Sequence, residues 1–149
     1  MNIQIKKLLT CVLILSLSLI TLTPVSAAKA APGIVAPFYN NVGSATSAIS
    51  INDSGKLTIG YKYSGYSSIT TKAVITTYIE KKTLGLFWKR VDIGKTNNEW
   101  IDTINDYRYT GSRTHQLSSS GTYRVTVIYN IYGSGGSADE ITCQATDSY

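Results

Sequence analysis

The chain has 149 residues, of which 43% are hydrophobic and 15% charged, and its formal net charge is +5. This length is enough for one domain of ordinary size and too short for two. Two cysteines exclude a disulfide-rich scaffold, and 3 prolines with 12 glycines exclude collagen and low-complexity linkers. The composition therefore predicts a single globular domain.

The first 27 residues have the three parts of a secretory signal peptide. Lys6 and Lys7 precede the apolar run Leu8–Leu22, and small residues follow up to Ala27. The run has 15 residues, whereas a helix that spans a membrane needs about 20. We therefore predict cleavage after Ala27, with Ala30 as the alternative, and a secreted, extracellular protein.

Cleavage would leave 122 residues with one cysteine and a net charge of +3, because Lys6 and Lys7 leave with the signal peptide. This mild basicity favours anionic partners, but it is not the dense basic stripe of a nucleic-acid-binding protein. A single cysteine allows no internal disulfide. We predict that residues 28–44 form an extended N-terminal segment and that residues 45–149 form the domain.

Residues 28–149 favour β-structure in composition and in periodicity. They contain 13 Ile, 6 Val and 15 Thr against 4 Leu and no Met, and β-branched side chains fit a pleated sheet better than a helix. Apolar and polar residues alternate in 57–63, 69–79 and 123–131. Each of these runs is expected to bury one face.

Four shorter runs complete a set of about seven predicted strands, and turn residues separate the runs. The shorter runs are Ala45–Ile51, Phe87–Ile93, Trp100–Tyr109 and Glu140–Ala145. No helical segment is long enough to connect parallel strands, so the connections are expected to be antiparallel. The predicted fold is all-β: a single antiparallel Greek-key β-sandwich of immunoglobulin-like type.

A short segment before the late strand favours the immunoglobulin-like type. Gly121-Thr122-Tyr123 resembles the start of strand F in such domains, where the tyrosine hydroxyl bonds to backbone upstream. Val125 stands where antibody domains have a cysteine, which excludes the antibody type and leaves the wider sandwich class. The alternative is a glycine turn that happens to precede a tyrosine-rich strand.

Four short motifs follow the predicted signal peptide: Tyr39–Val42, Tyr78–Lys82, Trp88–Val91 and Gly121–Val125. Together with the signal peptide, they resemble a group of short secreted proteins from Gram-positive bacteria whose function is uncharacterised. The resemblance implies a β-sandwich of immunoglobulin-like pattern. It brings no known activity, cofactor or catalytic residue to this chain.

The sequence holds few groups that carry catalysis. His115 is the only histidine and lies in the polar stretch Thr110–Gln116, which predicts a solvated loop. No nucleophile elbow, zinc-binding helix or paired-cysteine motif occurs. A hydrolase that pairs His115 with Cys143 or with a serine is one class of function, but we predict no enzyme, no cofactor and no metal.

Two other features have a structural and a functional interpretation. Cys143 alternates with apolar neighbours, which predicts a buried strand position, and the alternative is an intermolecular disulfide. Asp102, Asn105 and Asp106 could lend oxygens to a calcium ion, but their spacing matches no calcium loop. We expect these carboxylates to be solvated surface groups.

The segment Lys81–Arg90 predicts a binding surface. It joins two predicted strands in a hairpin with an apolar tip and basic shoulders. Its apolar and aromatic residues are Leu84, Leu86, Phe87 and Trp88, and its cations are Lys81, Lys82, Lys89 and Arg90. Lysine and arginine attract an anionic surface, and aromatic side chains settle at an interface. The alternative is that Leu86 and Trp88 fold back over the sandwich while the lysines guard an edge strand.

These observations predict a secreted, non-enzymatic β-sandwich that binds an anionic envelope component or a glycan. The predicted partners are an anionic cell-wall polymer, a glycan or a membrane surface, and nucleic acid is not among them. Sugar rings stack on exposed aromatic rings, and Tyr66, Tyr109 and Tyr132 are the candidates. The alternative function is a small secreted toxin or antimicrobial protein that disorders membranes.

Overall fold

The computed structural model describes residues 39–149, so the predicted signal peptide, both cleavage sites and most of the predicted N-terminal segment lie outside the described residues. Within these residues, all regular structure is β-strand except for a single 3-10 turn at Thr96–Asn98. The strands are β1 (Val42–Ile51), β2 (Lys56–Gly65), β3 (Thr70–Thr83), β4 (Phe87–Arg90), β5 (Trp100–Ile104), β6 (Arg108–Gln116), β7 (Thr122–Gly133) and β8 (Asp139–Ser148). In this part of the chain, no helix is long and apolar enough to cross a membrane.

The strands form two antiparallel sheets that pack face to face. The first sheet has the order β1-β2-β6. The second has the order β4-β3-β7-β8, and β5 pairs with the same edge of β3 as β4 does. Strands β1, β2 and β6 opposite β3, β7 and β8 give the Greek-key order of immunoglobulin-like domains. The predicted fold class is confirmed.

The period-two alternation of the sequence defines the core. The rows of β2, β3 and β7 that the sequence predicts to face inward hold thirteen buried residues: Leu57, Ile59, Tyr61, Tyr63, Ala73, Ile75, Thr77, Ile79, Tyr123, Val125, Val127, Tyr129 and Ile131. Two further threonines of these strands, Thr70 and Thr126, are buried at positions outside those rows. Because two sheets contribute one such row per strand, the core is a continuous apolar layer between them.

Two details of the predicted strands are wrong. The run Trp100–Tyr109 forms two strands, β5 and β6, because the chain turns at residues 105–107. The stretch Thr110–Gln116 belongs to β6 and is not a loop. The inward-facing residues of β6 include Arg113 and His115. The sequence of this strand therefore shows no alternation between apolar and polar residues.

Strand β3 begins with an irregularity that exchanges the predicted inward and outward positions of its first two residues. The register between β3 and β7 shifts between Thr70 and Lys72. Thr70 is therefore buried, and its hydroxyl donates to the carbonyl oxygen of Asn41, whereas Thr71 is exposed. Ala73 restores the predicted phase. A bulge of this kind adds one residue to a strand and moves the next side chain to the opposite face.

The tyrosine of the Gly121-Thr122-Tyr123 segment has the predicted contact. The hydroxyl of Tyr123 donates to the carbonyl oxygen of Ser119 at 2.5 Å. This bond closes the connection into β7 in the manner of the tyrosine corner of immunoglobulin-like domains. The prediction from this segment is confirmed.

Two other core tyrosines bond across the fold. The hydroxyl of Tyr129, in β7, donates to the carbonyl oxygen of Thr46, in β1, at 2.7 Å and so connects the two sheets. The hydroxyl of Tyr63 donates to the carbonyl oxygen of Asp106 at 2.8 Å. Burial raises the pKa of Tyr129 and raises that of Tyr63 to about 12, so both hydroxyls stay protonated and remain donors.

Carboxylates of β8 close one edge of the sandwich, where β8 lies beside β1. Asp139 is only 6% exposed and accepts the backbone N–H groups of residues 40–42 at 3.0, 2.6 and 3.1 Å. Further along, Asp147 accepts the backbone N–H of Ile51 at 2.7 Å. An edge strand leaves such donors without a partner strand, and here side chains of the facing sheet satisfy them.

We expect Asp139→Asn to lower the free energy of unfolding by about 2–3 kcal/mol. An amide has one acceptor oxygen where the carboxylate has two, so buried N–H groups lose a partner. Urea denaturation of residues 28–149 measures the change. Glu140→Gln, at the exposed neighbouring position, is the control and should change the stability by less than about 0.5 kcal/mol. Equal losses in the two variants would contradict the role of Asp139.

Candidate binding hairpin

The predicted binding segment is the hairpin between β3 and β4, and it extends beyond the rest of its sheet. Strand β7 pairs with β3 only as far as Lys81. Strand β4 pairs with residues 80–83 of β3. Residues 82–88 therefore form a two-stranded ribbon, in which β3 and β4 are each other's only partners among the described strands.

The tip of this ribbon is apolar and exposed: Leu84 is 89% exposed, Leu86 76% and Phe87 63%. Leu84 and Gly85 have φ values of 50° and 69°, and the N–H of Leu86 donates to the carbonyl oxygen of Thr83 at 3.1 Å. Glycine or asparagine is the usual residue in such a turn. A leucine in the left-handed region costs on the order of 1 kcal/mol, and this leucine recovers nothing from burial.

The structure separates the two residues that were expected to fold back together over the sandwich. For Leu86 that alternative is wrong, because no opposing sheet reaches the ribbon. Trp88 is half-buried on the outer face of the second sheet. Its ring lies 4.4 Å from the guanidinium of Arg124 and 5.9 Å from Nζ of Lys82. Trp88 therefore belongs to the base of the hairpin, and the other three apolar residues form the tip.

Stacked charges and rings hold this base. Glu80 faces Arg124 across the β3–β7 pair, and Oε2 of Glu80 lies 2.8 Å from Nη2 of Arg124. The side chains of this pair are 13% and 26% exposed, so water screens their attraction only in part. The guanidinium of Arg124 then lies against Trp88, which is a favourable position for a cation at an aromatic face.

A second stack lies beside the first. The guanidinium of Arg90 lies 3.3 Å from the centre of the Tyr78 ring and pairs with Glu99 at 3.0 Å. Arg90 is in β4, Tyr78 in β3 and Glu99 directly before β5. The stack thus ties three consecutive elements together at the root of the hairpin.

The four predicted cations of the hairpin differ in their contacts. Arg90 is paired, and Nζ of Lys81 lies 2.6 Å from Oγ of Ser119. Lys82 and Lys89 are exposed, and neither forms an ion pair within residues 39–149. Lys82 shares a face of the ribbon with Trp88, whereas Lys89 lies on the opposite face beside Lys81. Free positive charge therefore flanks the apolar tip on both faces.

The structure keeps His115 and Cys143 apart. His115 is in β6, and its ring meets that of Trp100 edge-on at 5.6 Å. Cys143 is half-buried in β8, as its strand pattern predicts, and its Sγ lies 3.8 Å from the carbonyl oxygen of Ala45 in β1. Because β1 and β6 lie on opposite sides of β2, the thiol and the imidazole are at opposite edges of the sandwich.

The acidic residues near β5 have protein partners. Asp102 lies at the surface, as expected, but it accepts two hydrogen bonds from Nη2 of Arg113, at 2.8 and 2.7 Å, and is therefore paired. Asp106 is exposed, as expected. Burial is the largest single influence on Arg113 and opposes its charge, but the hydrogen bond and the charge of Asp102, together with Tyr61, outweigh burial and raise the pKa of the guanidinium. Within residues 39–149, no three His, Cys, Asp or Glu side chains are grouped closely enough to hold a metal ion.

The three tyrosines proposed for sugar stacking differ in their exposure to solvent. Tyr66 and Tyr132 are 44% and 37% exposed. Tyr109 is half-buried, with its ring 6.3 Å from that of Tyr63, because it lies on the inward row of β6. The expectation that Tyr109 is exposed is therefore wrong.

Sequence reasoning missed Glu80 and Arg124 as parts of the candidate site. Both stand at outward positions of runs that alternate clearly, and their opposite charges are the available signal. Pairing them requires the register between β3 and β7, and alternation fixes which face a residue occupies but not its cross-strand neighbour.

We expect Arg124→Met to lower the free energy of unfolding by about 1–2 kcal/mol, because both the pair with Glu80 and the stack on Trp88 are lost. Backbone amides of residues 82–88 should exchange with deuterium several-fold faster. Lys72→Met, at an exposed position of the same outer face, is the control. Unchanged exchange in Arg124→Met would contradict the role of the stack.

We expect the stability of the domain to fall as the pH drops below 6.5 because of His115. Burial lowers the pKa of His115 from its ordinary 6.5, so the unfolded chain binds this proton at a higher pH than the folded chain does. The stability is complete above pH 6.5 and is lost as the pH falls through the folded pKa. In His115→Gln, the thermal unfolding midpoint should change less with pH than in the wild type between pH 7 and about pH 5. This interval lies above the range where carboxylates titrate. Parallel losses in wild type and variant would contradict this assignment.

Comparison with known proteins adds no family to this picture: no protein-family model matches the chain, and no curated protein matches it. The resemblance to short secreted proteins of Gram-positive bacteria stays a prediction.

Proposed function

We propose that this protein is secreted and attaches reversibly, without an enzymatic step, to anionic membrane surfaces of the bacterial envelope through the tip of the β3–β4 hairpin. The observation that supports this most directly is the set Leu84, Leu86 and Phe87, which is exposed between the unpaired Lys82 and Lys89. A folded domain gains no stability from three apolar side chains that are exposed together at one turn. They gain free energy only when something outside the domain covers them.

The size of the expected effect suits reversible attachment. Burying a leucine or phenylalanine side chain contributes roughly 1.5–3 kcal/mol, so partial burial of three contributes on the order of 5 kcal/mol. Each lysine near an anionic leaflet adds about 1 kcal/mol. The sum is similar to the binding energy of a single fatty-acyl anchor, which holds a protein at a membrane only transiently.

The base of the hairpin supports this function by limiting the entropic cost of binding. The stacks of Arg124 on Trp88 and of Arg90 on Tyr78 hold the ribbon in one orientation before it meets a surface. A preorganised element loses less conformational freedom on binding than a flexible loop does. The tip therefore enters an interface as a wedge on a rigid support.

Among the predicted partners, the apolar tip favours a membrane over a cell-wall polymer. A charged polymer offers anions and hydroxyl groups to Lys82 and Lys89, but it offers nothing apolar to Leu84 or Leu86. The boundary between headgroups and acyl chains offers both. Binding to a cell-wall polymer or to a glycan through the hairpin is an outcome of the same experiment.

Sedimentation with vesicles tests the proposal. Residues 28–149 should bind vesicles of phosphatidylcholine with 30% phosphatidylglycerol, and should bind phosphatidylcholine alone much more weakly. The triple variant Leu84→Ser, Leu86→Ser, Phe87→Ser should lose at least tenfold in affinity. Ile101→Ser is a matched control, because Ile101 is 64% exposed on β5, away from the hairpin.

The lysines are tested separately through salt. Lys82→Gln with Lys89→Gln should weaken binding at low ionic strength and flatten its dependence on salt, because surface charges are screened over about 10 Å at 0.1 M. Lys95→Gln, at an exposed position in the β4–β5 connection, is the control.

Two outcomes would overturn the proposal. One is an absence of vesicle binding at low salt together with retention on purified cell wall, which would make a wall polymer the partner. The other is release of an entrapped dye from the vesicles, because a passive anchor adheres without opening the bilayer. Dye release would favour the alternative function of a membrane-active toxin.

A further inference from the structure

The outer face of the first sheet carries hydroxyl groups and cations and no carboxylate. Strands β1, β2 and β6 contain no aspartate or glutamate. Their outward-facing residues, here called the hydroxyl face, are Ser44, Thr46, Ala48, Ser50, Lys56, Thr58, Gly60, Lys62, Ser64, Arg108, Thr110, Ser112, Thr114 and Gln116. The face is thus rich in hydroxyl groups and positive.

Two of its cations lie close together without a carboxylate partner. Lys62 pairs in register with Thr110, and Arg108 pairs with Ser64, so the two cations are diagonal neighbours on one face. Diagonal neighbours lie roughly 7–8 Å apart. Neither cation forms an ion pair within the part of the chain that the structure describes. This diagonal spacing is between the residue positions, and from it both side chains are able to reach one anion.

The nearest acid does not neutralise this pair. Asp106 lies in the turn before β6, and its Oδ1 accepts the backbone N–H of Arg108 at 3.2 Å. The Arg108 guanidinium instead lies 5.2 Å from the ring of Tyr107. Arg108 is therefore held by an aromatic ring and keeps its charge available to a ligand.

Two adjoining depressions run along the hydroxyl face beside these cations. One has a volume of about 470 Å³, and it is bordered by Lys62, Ser64, Arg108 and Thr110 and also by Asp106, Tyr63 and Tyr109. The other, of about 420 Å³, lies over Gly60 and Thr46. Both include Lys62 and Thr110 in their walls, so they form one trough that extends across the strands.

Gly60 keeps the second depression open. A Cβ atom built on this glycine would meet only the carbonyl oxygen of Ala48, at 3.8 Å. Gly60 also has no positive φ that requires glycine. A side chain at this position would therefore fit the strand while it fills the trough.

We propose that the hydroxyl face binds an extended anionic polysaccharide along this trough. Hydroxyl side chains at regular cross-strand spacing offer donors and acceptors to sugar hydroxyls, and Lys62 and Arg108 are placed for carboxylate groups on the chain. Two adjoining depressions offer room for successive units of one chain. Single-stranded nucleic acid fits less well, because it binds on exposed aromatic platforms and the outward-facing positions of β1, β2 and β6 hold no aromatic side chain.

This site is independent of the hairpin. Arg108 and Ser64 lie at the end of the sandwich where β2 leads into β3, whereas the hairpin follows the other end of β3. The two surfaces also face away from each other, because the hydroxyl face belongs to the first sheet and the hairpin to the second. One molecule is therefore able to hold a membrane and a polysaccharide at the same time.

Affinity electrophoresis of residues 28–149 in gels that contain polygalacturonate tests the inference. The polymer should retard the protein, and neutral dextran should not. Lys62→Gln with Arg108→Gln should weaken retardation at least tenfold. Gly60→Val should weaken it several-fold without lowering the thermal midpoint, since valine is favoured in strands.

Three controls separate this site from other sources of binding. Lys72→Gln removes an exposed cation from the second sheet and should leave retardation unchanged. The hairpin variant Leu84→Ser, Leu86→Ser, Phe87→Ser should also leave it unchanged, so the two sites fail independently. Polyphosphate carries charge without sugar rings and should retard the protein much less than polygalacturonate does.

Retardation equal in polyphosphate and polygalacturonate would show that charge alone is bound and would overturn the proposal. An equal loss in Lys72→Gln and in the Lys62, Arg108 variant would do the same. So would retardation that Gly60→Val leaves unchanged, because the trough would then not be the site.

Discussion

One strand of the second sheet is longer than the sheet that covers it, and the exposed hairpin follows from that mismatch. Strand β3 has 14 residues, whereas the strands of the first sheet have 9 or 10. At about 3.4 Å per residue, four extra residues extend β3 by roughly 14 Å. A short connection, residues 66–69, joins β2 to β3, so the excess lies at the other end. Side chains there have no opposing layer to pack against.

The distribution of carboxylates determines which cations remain free. Glu80, Glu99 and Asp102 each pair with an arginine, while Asp139 and Asp147 accept backbone N–H groups of and before β1. The fold thus uses these acids internally, and no lysine of residues 39–149 forms an ion pair. The positive potential that remains is carried mainly by lysines at the hairpin and on the hydroxyl face.

The sequence predicts the core well and the pairing of its charges poorly, for a physical reason. Alternation assigns each residue to a face, so the inward positions of Tyr63 and Tyr129 are predictable without a structure. It fails in β6, where Arg113 and His115 face inward and no apolar row marks the strand. It also fails for Glu80 and Arg124, because their contact depends on register. The exposure of Leu86 was not predictable either, because it depends on where β7 ends relative to β3.

The tip and the base of the hairpin are subject to different constraints. Replacing Leu84 or Leu86 removes no contact of the core, so the fold tolerates change there, and relief of the left-handed backbone at Leu84 by glycine would even stabilise it. Arg124 and Trp88 instead connect the ribbon to β7, and their loss would release it. In this hairpin the strained backbone lies in the exposed tip, and the stabilising contacts lie in the base. Substitutions in the tip can therefore change what the hairpin binds without changing the fold. In this domain that division separates the three exposed apolar side chains and two lysines of the hairpin from the contacts at its base that hold it in place.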